Sequence, residues 1–221
     1  MKVFVFLGAP GAGKGTQAAL IANRIGAVHI STGALLREEI RSGSALGQKV
    51  KQLVESGMLV DDVTLFECCS GTLQRALLAG KSSLLLDGVP RNLSQVEILD
   101  RVLSKLDLKV DAAIDFEVAR DVLVKRLSNR WTCQKCSAVV SGNAEGLAPS
   151  SCSSCDATDS YARRKDDEPE SVSKRLGVYD AETAPVSGSY EQRQLLHRVD
   201  ANQEPELVYL EVGAVIMKKL K

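Results

Sequence analysis

A glycine-rich loop near the start of the chain places the strongest constraint on the fold. Residues 8–16 read GAPGAGKGT; an apolar run at residues 3–7 precedes them, and helical spacing of apolar residues continues to residue 25. Strand, loop and helix in this order predict the first unit of a parallel βαβ fold that binds phosphate. Glycines let backbone N–H groups surround phosphate oxygens, and the lysine can reach the terminal phosphates of a nucleotide. The expected contacts are Gly8, Gly11, Ala12, Gly13, Lys14, Gly15 and Thr16.

The rest of the chain alternates between buried-strand and helix patterns. Further strands are expected at residues 83–86, 112–116 and 196–199. Helical periodicity is found at residues 65–78, 96–106, 119–127 and 208–220. Ser94, with Glu97 three residues later, is expected to cap the second of these helices. The alternation predicts an α/β fold with a mostly parallel sheet flanked by helices.

Two segments interrupt this alternation. Residues 31–60 carry two short helical patterns with no strand between them. Residues 131–162 are rich in Ser, Ala, Gly and Cys and poor in core-forming residues. Both are interpreted as insertions at the ligand-binding edge of the sheet. The remaining segments are expected to form one core domain: 1–30, 61–130 and 163–221.

Composition argues against several classes of function. Lys and Arg total 28, as do Asp and Glu, so there is no overall basic field to attract nucleic acid or an anionic membrane. No apolar run approaches the roughly 18 residues of a membrane span. Four of the six cysteines form two CxxC pairs, which without an export signal before the glycine loop favours metal over disulfides, so we expect a reducing compartment. The cytoplasm is the first expectation, with the mitochondrial matrix or another organelle left open.

Four of the six cysteines form two CxxC pairs: Cys133, Cys136, Cys152 and Cys155. Four thiolates at this spacing predict a closed, structural zinc site, with two disulfides or free thiols as the alternatives. A zinc ribbon that binds nucleic acid is a further alternative. Lys135 is the only basic residue within 132–162, and this scarcity of positive charge disfavours it.

A second motif, DGVPR at residues 87–91, ends the strand expected at 83–86. The carboxyl ends of parallel strands meet at one edge of the sheet, so this motif is expected beside the glycine loop. Asp87 would then be able to hold magnesium through water. Arg91 would be able to reach the transferring phosphate.

Together these motifs resemble the adenylate kinase family, and the resemblance covers nearly the whole chain. GAPGAGKGT is similar to the family's phosphate loop, and DGVPR resembles its DGFPR, with Val89 in place of the aromatic residue. STGALLR at residues 31–37 resembles the family's STGDLLR, and RKDD at 164–167 matches its RKDD after the lid. The four-cysteine segment looks like the zinc-bearing lid of the long members of the family.

The resemblance implies a role for each matching residue. Thr32 and Gln95 would meet the acceptor adenine, whose pocket would include Met58, Val60 and Gly88. Six arginines would be phosphate ligands: Arg37, Arg91, Arg126, Arg130, Arg164 and Arg175. The implied catalytic set is Lys14, Asp87, Arg91, Arg126, Arg130, Arg164 and Arg175.

The implied activity is reversible, magnesium-dependent phosphoryl transfer from ATP to AMP, which gives two ADP. Transfer would be direct and in line, without a covalent nucleophile or a general base, because catalysis of this reaction rests on positioning and charge neutralisation. The expected ligands are ATP, AMP and ADP with Mg²⁺, together with structural Zn²⁺. The chain is expected to be a monomer, without nucleic acid or membrane partners. GTP as the donor is left open.

One residue departs from the family pattern. Ala34 stands where STGDLLR has its aspartate, a carboxylate that belongs to the surroundings of the metal. A weakly active nucleotide-binding or regulatory protein is therefore a second alternative. His29 and His197, the only histidines, are given no role.

Overall fold

The computed structural model describes residues 1–220, and a five-stranded sheet lies at its centre. Its strands are β1 (Lys2–Gly8), β2 (Val28–Ser31), β3 (Ser83–Asp87), β4 (Val110–Glu117) and β8 (Leu196–Asp200). They are parallel and lie in the order β2-β3-β1-β4-β8, so β1 and its loop occupy the middle. The predicted α/β fold is confirmed.

Helices cover both faces of this sheet. They are α1 (Lys14–Ile25), α2 (Thr32–Ser42), α3 (Ala45–Ser56), α4 (Asp62–Leu78), α5 (Leu93–Ser104), α6 (Arg120–Ser128), α7 (Pro169–Val178), α8 (Ala184–Gln192) and α9 (Pro205–Leu220). Side chains alternate along each strand, so Phe4 and Phe6 join one apolar cluster while Val3 and Val5 join the other. The first cluster includes residues of α1, α6, α7 and α9; the second includes residues of α2, α3, α4, α5 and α8.

The cysteine-rich segment forms a small sheet of its own. Its strands are β5 (Arg130–Cys133), β6 (Val139–Ser141) and β7 (Tyr161–Ala162), antiparallel in the order β6-β5-β7. Helices α2 and α3 form the other interruption, with no strand between them, as expected. None of the helices in residues 1–220 combines the length and the apolar character that crossing a bilayer requires.

Two local expectations need correction. Asn92, not Ser94, caps α5: its side chain accepts from Gln95 N, and Ser94 Oγ instead donates to Asp62 Oδ2 at 3.0 Å. Strand β2 was not expected, because its sequence VHIS contains no continuous apolar run and only Ile30 is buried. A strand at the edge of the sheet pairs on one side only, so mixed polarity is tolerated there.

Candidate active site

The phosphate loop joins β1 to α1 at the carboxyl edge of the sheet. Gly8 has φ +132°, and a Cβ there would lie 2.8 Å from the Phe116 carbonyl oxygen, closer than side chains tolerate. Gly13, with φ 95°, precedes α1 in the left-handed region, and no side chain caps the helix. The first N–H groups of α1 are therefore left for an anion.

Lys14 begins α1, and its ammonium turns back into the loop. Nζ donates to Gly8 O at 2.7 Å and to Ala9 O at 2.9 Å. Burial lowers the pKa of Lys14 to about 8, while the negative charge of Asp87 opposes this shift. Carbonyl oxygens carry only partial charge, so phosphate oxygens would be stronger partners for this ammonium.

Asp87 ends β3 next to the loop. Its Oδ2 accepts from Ser31 Oγ at 3.1 Å and lies 3.8 Å from His29 Nε2, too far for a hydrogen bond. Burial raises the pKa of Asp87, but His29, Lys14 and Ser31 outweigh burial and hold the pKa below its usual value. The carboxylate is therefore ionised at neutral pH, the form that binds a divalent cation.

Gly15 explains how Asp87 comes so close to the loop. A Cβ at Gly15 would lie 3.1 Å from Asp87 Oδ2, so any side chain would press on the carboxylate. In the usual phosphate loop a Ser or Thr hydroxyl follows the lysine and holds magnesium. Here the residue after the lysine is Gly15, and the Asp87 carboxylate from the neighbouring strand lies next to it. Thr16, one residue later, borders the same cleft.

The loop after β3 is held from beneath by Thr32. This residue is fully buried, and its Oγ1 donates to Gly88 O at 2.9 Å, so its side chain supports the loop and does not border the cleft. Gly88 has φ +83°, and Arg91 Nε donates to its carbonyl at 2.7 Å. Met58, Val60 and Gln95 border the cleft nearby.

All six predicted arginines border one cleft of about 560 Å³. Burial lowers the pKa of Arg37, and the positive charges of Arg130 and Arg175 lower it further. The negative charges of Asp166 and Asp87 oppose this shift. Burial likewise lowers the pKa of Arg164, with Arg130 and Arg37 acting in the same direction. Arginines concentrated in this way favour a multiply charged anion between them.

Two buried aspartates orient part of this arginine cluster. Arg130 forms a two-pronged ion pair with Asp167, in which Nε to Oδ2 measures 2.8 Å. Arg175 Nη1 lies 3.0 Å from Asp167 Oδ1 and 3.1 Å from Asp166 Oδ2. These two carboxylates hold the guanidinium groups in place but do not neutralise the whole cluster, which leaves a positive site.

The cysteine-rich sheet lies over the cleft and contacts the α2–α3 segment. Ser137 and residues 139–141 border the cleft, and Arg164 Nε donates to Thr132 Oγ1 at 2.8 Å. Arg41 Nη1, on α2, donates to Gln134 O at 2.9 Å. The cysteine-rich segment and the α2–α3 segment are therefore in contact.

A further part of the cleft wall is built from α6 and the segment after β8. Arg126 Nη2 donates to Ala201 O at 2.9 Å, which fixes its guanidinium at the cleft wall. Gln203, Pro205 and Val208 also border the cleft. A planar guanidinium beside apolar side chains can stack on an aromatic base.

The four predicted metal ligands converge in the small sheet. The Sγ atoms of Cys133, Cys136, Cys152 and Cys155 all lie within 4.8 Å of one another. Cys133 and Cys155 are 3.8 Å apart, and Cys136 and Cys152 are 3.6 Å apart. Zinc–sulfur bonds of about 2.3 Å place the sulfurs of a tetrahedral site about 3.8 Å apart. The cluster therefore fits zinc, and all four cysteines are free of disulfides.

Sequence reasoning gave no role to several residues that shape the cleft. His29 and Ser31 contact Asp87, while Asp166 and Asp167 orient arginines. RKDD was predicted as a family motif, but the sequence does not show which arginines its aspartates meet. Arg175 lies 8 residues after Asp167, and Arg130 lies 37 residues before it. Nothing local to His29 indicates its neighbour, because the contact arises only when β2 pairs with β3.

This arrangement defines a phosphate-loop protein whose arginine-lined cleft suits a phosphate-bearing ligand. Comparison with known proteins makes the class specific. The adenylate kinase family model matches residues 6–195. The chain is 38% identical to an adenylate kinase of Elusimicrobium minutum over 98% of its own length and 99% of the relative. An adenylate kinase of Moorella thermoacetica is 41% identical, with 96% of each chain covered, and one of Archaeoglobus fulgidus is 37% identical, with 97% of each covered.

The chain belongs to the adenylate kinase family, whose members are nucleoside monophosphate kinases.

Proposed function

We propose that this protein transfers a phosphoryl group reversibly from magnesium-bound ATP to AMP, giving two ADP. The observation that carries the proposal is the single cleft. The phosphate loop, Gln95 and all six arginines border it together. A site that holds the donor and the acceptor phosphates next to each other makes their reaction effectively intramolecular.

The chain's own groups position the ligands and neutralise charge. Lys14 and the N-terminus of α1 would bind the donor phosphates, while Arg37 and Arg91 would hold the acceptor phosphate. Arg130, Arg164 and Arg175 would stabilise the charge that spreads over the transferring oxygens. An acceptor oxygen then attacks the donor γ-phosphate in line, with ADP as the leaving group. No side chain forms a covalent intermediate.

Magnesium would arrive with the triphosphate. Asp87 is the residue that would hold it, because its carboxylate is ionised and lies beside Gly15 and the phosphate loop. Bound magnesium neutralises charge on the phosphate oxygens.

We assign residues 31–60 to an acceptor-binding insertion, 131–162 to a lid, and the other segments to the core. Closure of the lid would exclude water, which would otherwise compete as an acceptor. Zinc in the cysteine cluster would be structural, since four sulfurs leave no open coordination position. One chain supplies every group named here, so a monomer is sufficient.

The test is product formation with Mg²⁺, ATP and each of AMP, GMP, CMP and UMP, followed by GTP with AMP. Fast ADP formation with ATP and AMP alone supports the proposal. Preference for GTP would retain the mechanism and change the donor. Tight nucleotide binding without transfer to any acceptor would overturn the proposal and favour a binding or regulatory protein.

A further inference from the structure

The side-chain amide of Gln95 is held at both ends. Its Nε2 donates to Asp62 Oδ1 at 2.8 Å, and its Oε1 accepts from the backbone N–H of Arg91 at 2.7 Å. Gln95 is 1% exposed, and it borders the cleft. A carboxylate can only accept and a backbone N–H can only donate, so both partners specify the same orientation of the amide.

Each end of this amide keeps one unused hydrogen-bonding position. A carboxamide has two N–H donors and two carbonyl lone pairs. Asp62 takes one donor and Arg91 N takes one lone pair. One donor and one acceptor therefore remain, at positions on the amide that are fixed.

We propose that Asp62 is a positioning residue that sets acceptor-base selectivity through Gln95; this inference rests on the proposed use of AMP. Adenine presents an amino donor beside the ring acceptor N1, whereas hypoxanthine presents a carbonyl acceptor beside an N1–H donor. An amide that could turn over would suit either base. An amide held in one orientation by Asp62 can form hydrogen bonds with only one of the two bases. With the other base, donor faces donor and acceptor faces acceptor, so neither hydrogen bond forms.

Asp62 is placed to do this without touching a ligand itself. It is the first residue of α4, where the helix dipole favours a negative charge. Its second oxygen accepts from Ser94 Oγ at 3.0 Å, so both oxygens have a partner. Asp62 does not border the cleft, in contrast to Gln95.

The neighbouring Asp61 provides a matched control. It carries the same charge and caps α4 by accepting from Thr64 N at 3.0 Å, but it has no bond to Gln95. Asp61→Ala therefore removes a carboxylate and weakens the start of α4 while leaving the amide locked.

The experiment measures Kd for AMP and for IMP by titration calorimetry in the wild type, Asp62→Ala, Asp62→Asn and Asp61→Ala, with ATP-dependent turnover of both acceptors. We expect the selectivity for AMP over IMP to fall about tenfold in Asp62→Ala, since a lost directional pair discriminates between bases by this order. Asp62→Asn, which keeps a carbonyl acceptor but can also turn and donate, should be intermediate. Asp61→Ala should keep the wild-type ratio within about twofold.

The two proposals can fail separately. Suppose that the wild type binds AMP selectively, that Asp62→Ala loses this selectivity, and that no variant shows turnover. This result would support the role of Asp62 and overturn the enzymatic proposal. Normal turnover with unchanged selectivity in both Asp62 variants would overturn the role of Asp62 alone. A loss of selectivity in Asp61→Ala equal to that in Asp62→Ala would also overturn it, because a weakened helix would then explain both. A wild type that binds neither monophosphate would overturn both proposals.

Discussion

The central sheet and the proposed lid, residues 131–162, differ in what keeps them folded. The interior residues of β1, β3 and β4 are almost completely buried between two large apolar clusters. The lid has only a small cluster of its own, built on Cys133, Cys152 and Ala157. Apolar burial stabilises by about 25 cal/mol per Å² removed from water, so the sheet has a source of stability that the lid lacks. In residues 131–162, metal ligation can supply the folding free energy that apolar burial does not.

This difference suits the two regions to different tasks. A phosphate loop needs fixed backbone N–H groups. Its place between the buried middle strand and α1, which packs Ala18, Ile21 and Ala22 into the core, provides them. A lid must move as a unit, and a four-sulfur site can keep a small unit ordered without tying it to the sheet.

The largest effect is expected from a cavity in the sheet core. Leu85, in β3, is fully buried, so Leu85→Ala should lower the free energy of unfolding by about 2–5 kcal/mol. Leu78 is 82% exposed, and Leu78→Ala is the matched control, with an expected change within about 0.5 kcal/mol. Urea unfolding followed by circular dichroism measures both. Equal changes in the two variants would contradict the assignment of stability to the sheet core.

A smaller and more local effect is expected when metal is removed from the lid. A strong chelator should lower the melting temperature by about 2–4 °C, the shift that corresponds to about 1 kcal/mol in a chain of this size. Proteolysis within residues 131–162 should become faster, since the lid loses its main source of order. Cys136→Ser is the matching variant, and metal analysis of the purified protein establishes occupancy. An unchanged melting temperature, together with metal analysis that finds no zinc, would contradict the prediction.

The third prediction concerns the charge of Lys14. Its pKa in the folded protein, about 8, lies below the ordinary lysine value of 10.5, because burial disfavours the charged form. In the free protein its contribution to stability therefore rises with pH above about 8, where the unfolded chain binds more protons. Triphosphate affinity should move in the opposite direction and fall about tenfold between pH 8 and 9.5, since a neutral amine attracts phosphate weakly.

Titration calorimetry of a non-hydrolysable triphosphate from pH 7 to pH 9.5 measures this dependence. Lys14→Arg is the control, because guanidinium remains charged over the whole range. A profile for the wild type as flat as that of Lys14→Arg would show that the ammonium does not lose its proton in this range.

The features that could be predicted from sequence are those encoded by neighbouring residues. The loop at residues 8–16 carries its own glycines, and the two CxxC pairs carry their own ligand spacing, so both were found with their correct structural context. Helical spacing was found up to residue 25, and α1 ends there, with Gly26 as its cap at φ 65°. Local signals of this kind need no knowledge of the rest of the fold.

The features that were missed are either locally irregular or dependent on distant parts of the chain. Helices α7 and α8 are joined by a π-helical turn at Tyr179–Thr183, and this irregularity obscures their periodicity. The orientation of Gln95 depends on Asp62, 33 residues earlier. Single-chain patterns reveal which residue types are present but not which of them face each other.

The smallest effect is expected at Ala34, which borders the cleft on α2. The resemblance to STGDLLR suggests that a carboxylate at this position would add to the negative surroundings of magnesium. Ala34→Asp should therefore reduce the magnesium concentration for half-maximal activity by about two- to fivefold, the range expected for one partly exposed charge. Ala34→Asn is the matched control, since it has the same shape without the charge. Identical magnesium titrations for the wild type and Ala34→Asp would mean that Asp87 alone, with phosphate oxygens and water, is sufficient for the metal. The alanine would then be compatible with full activity.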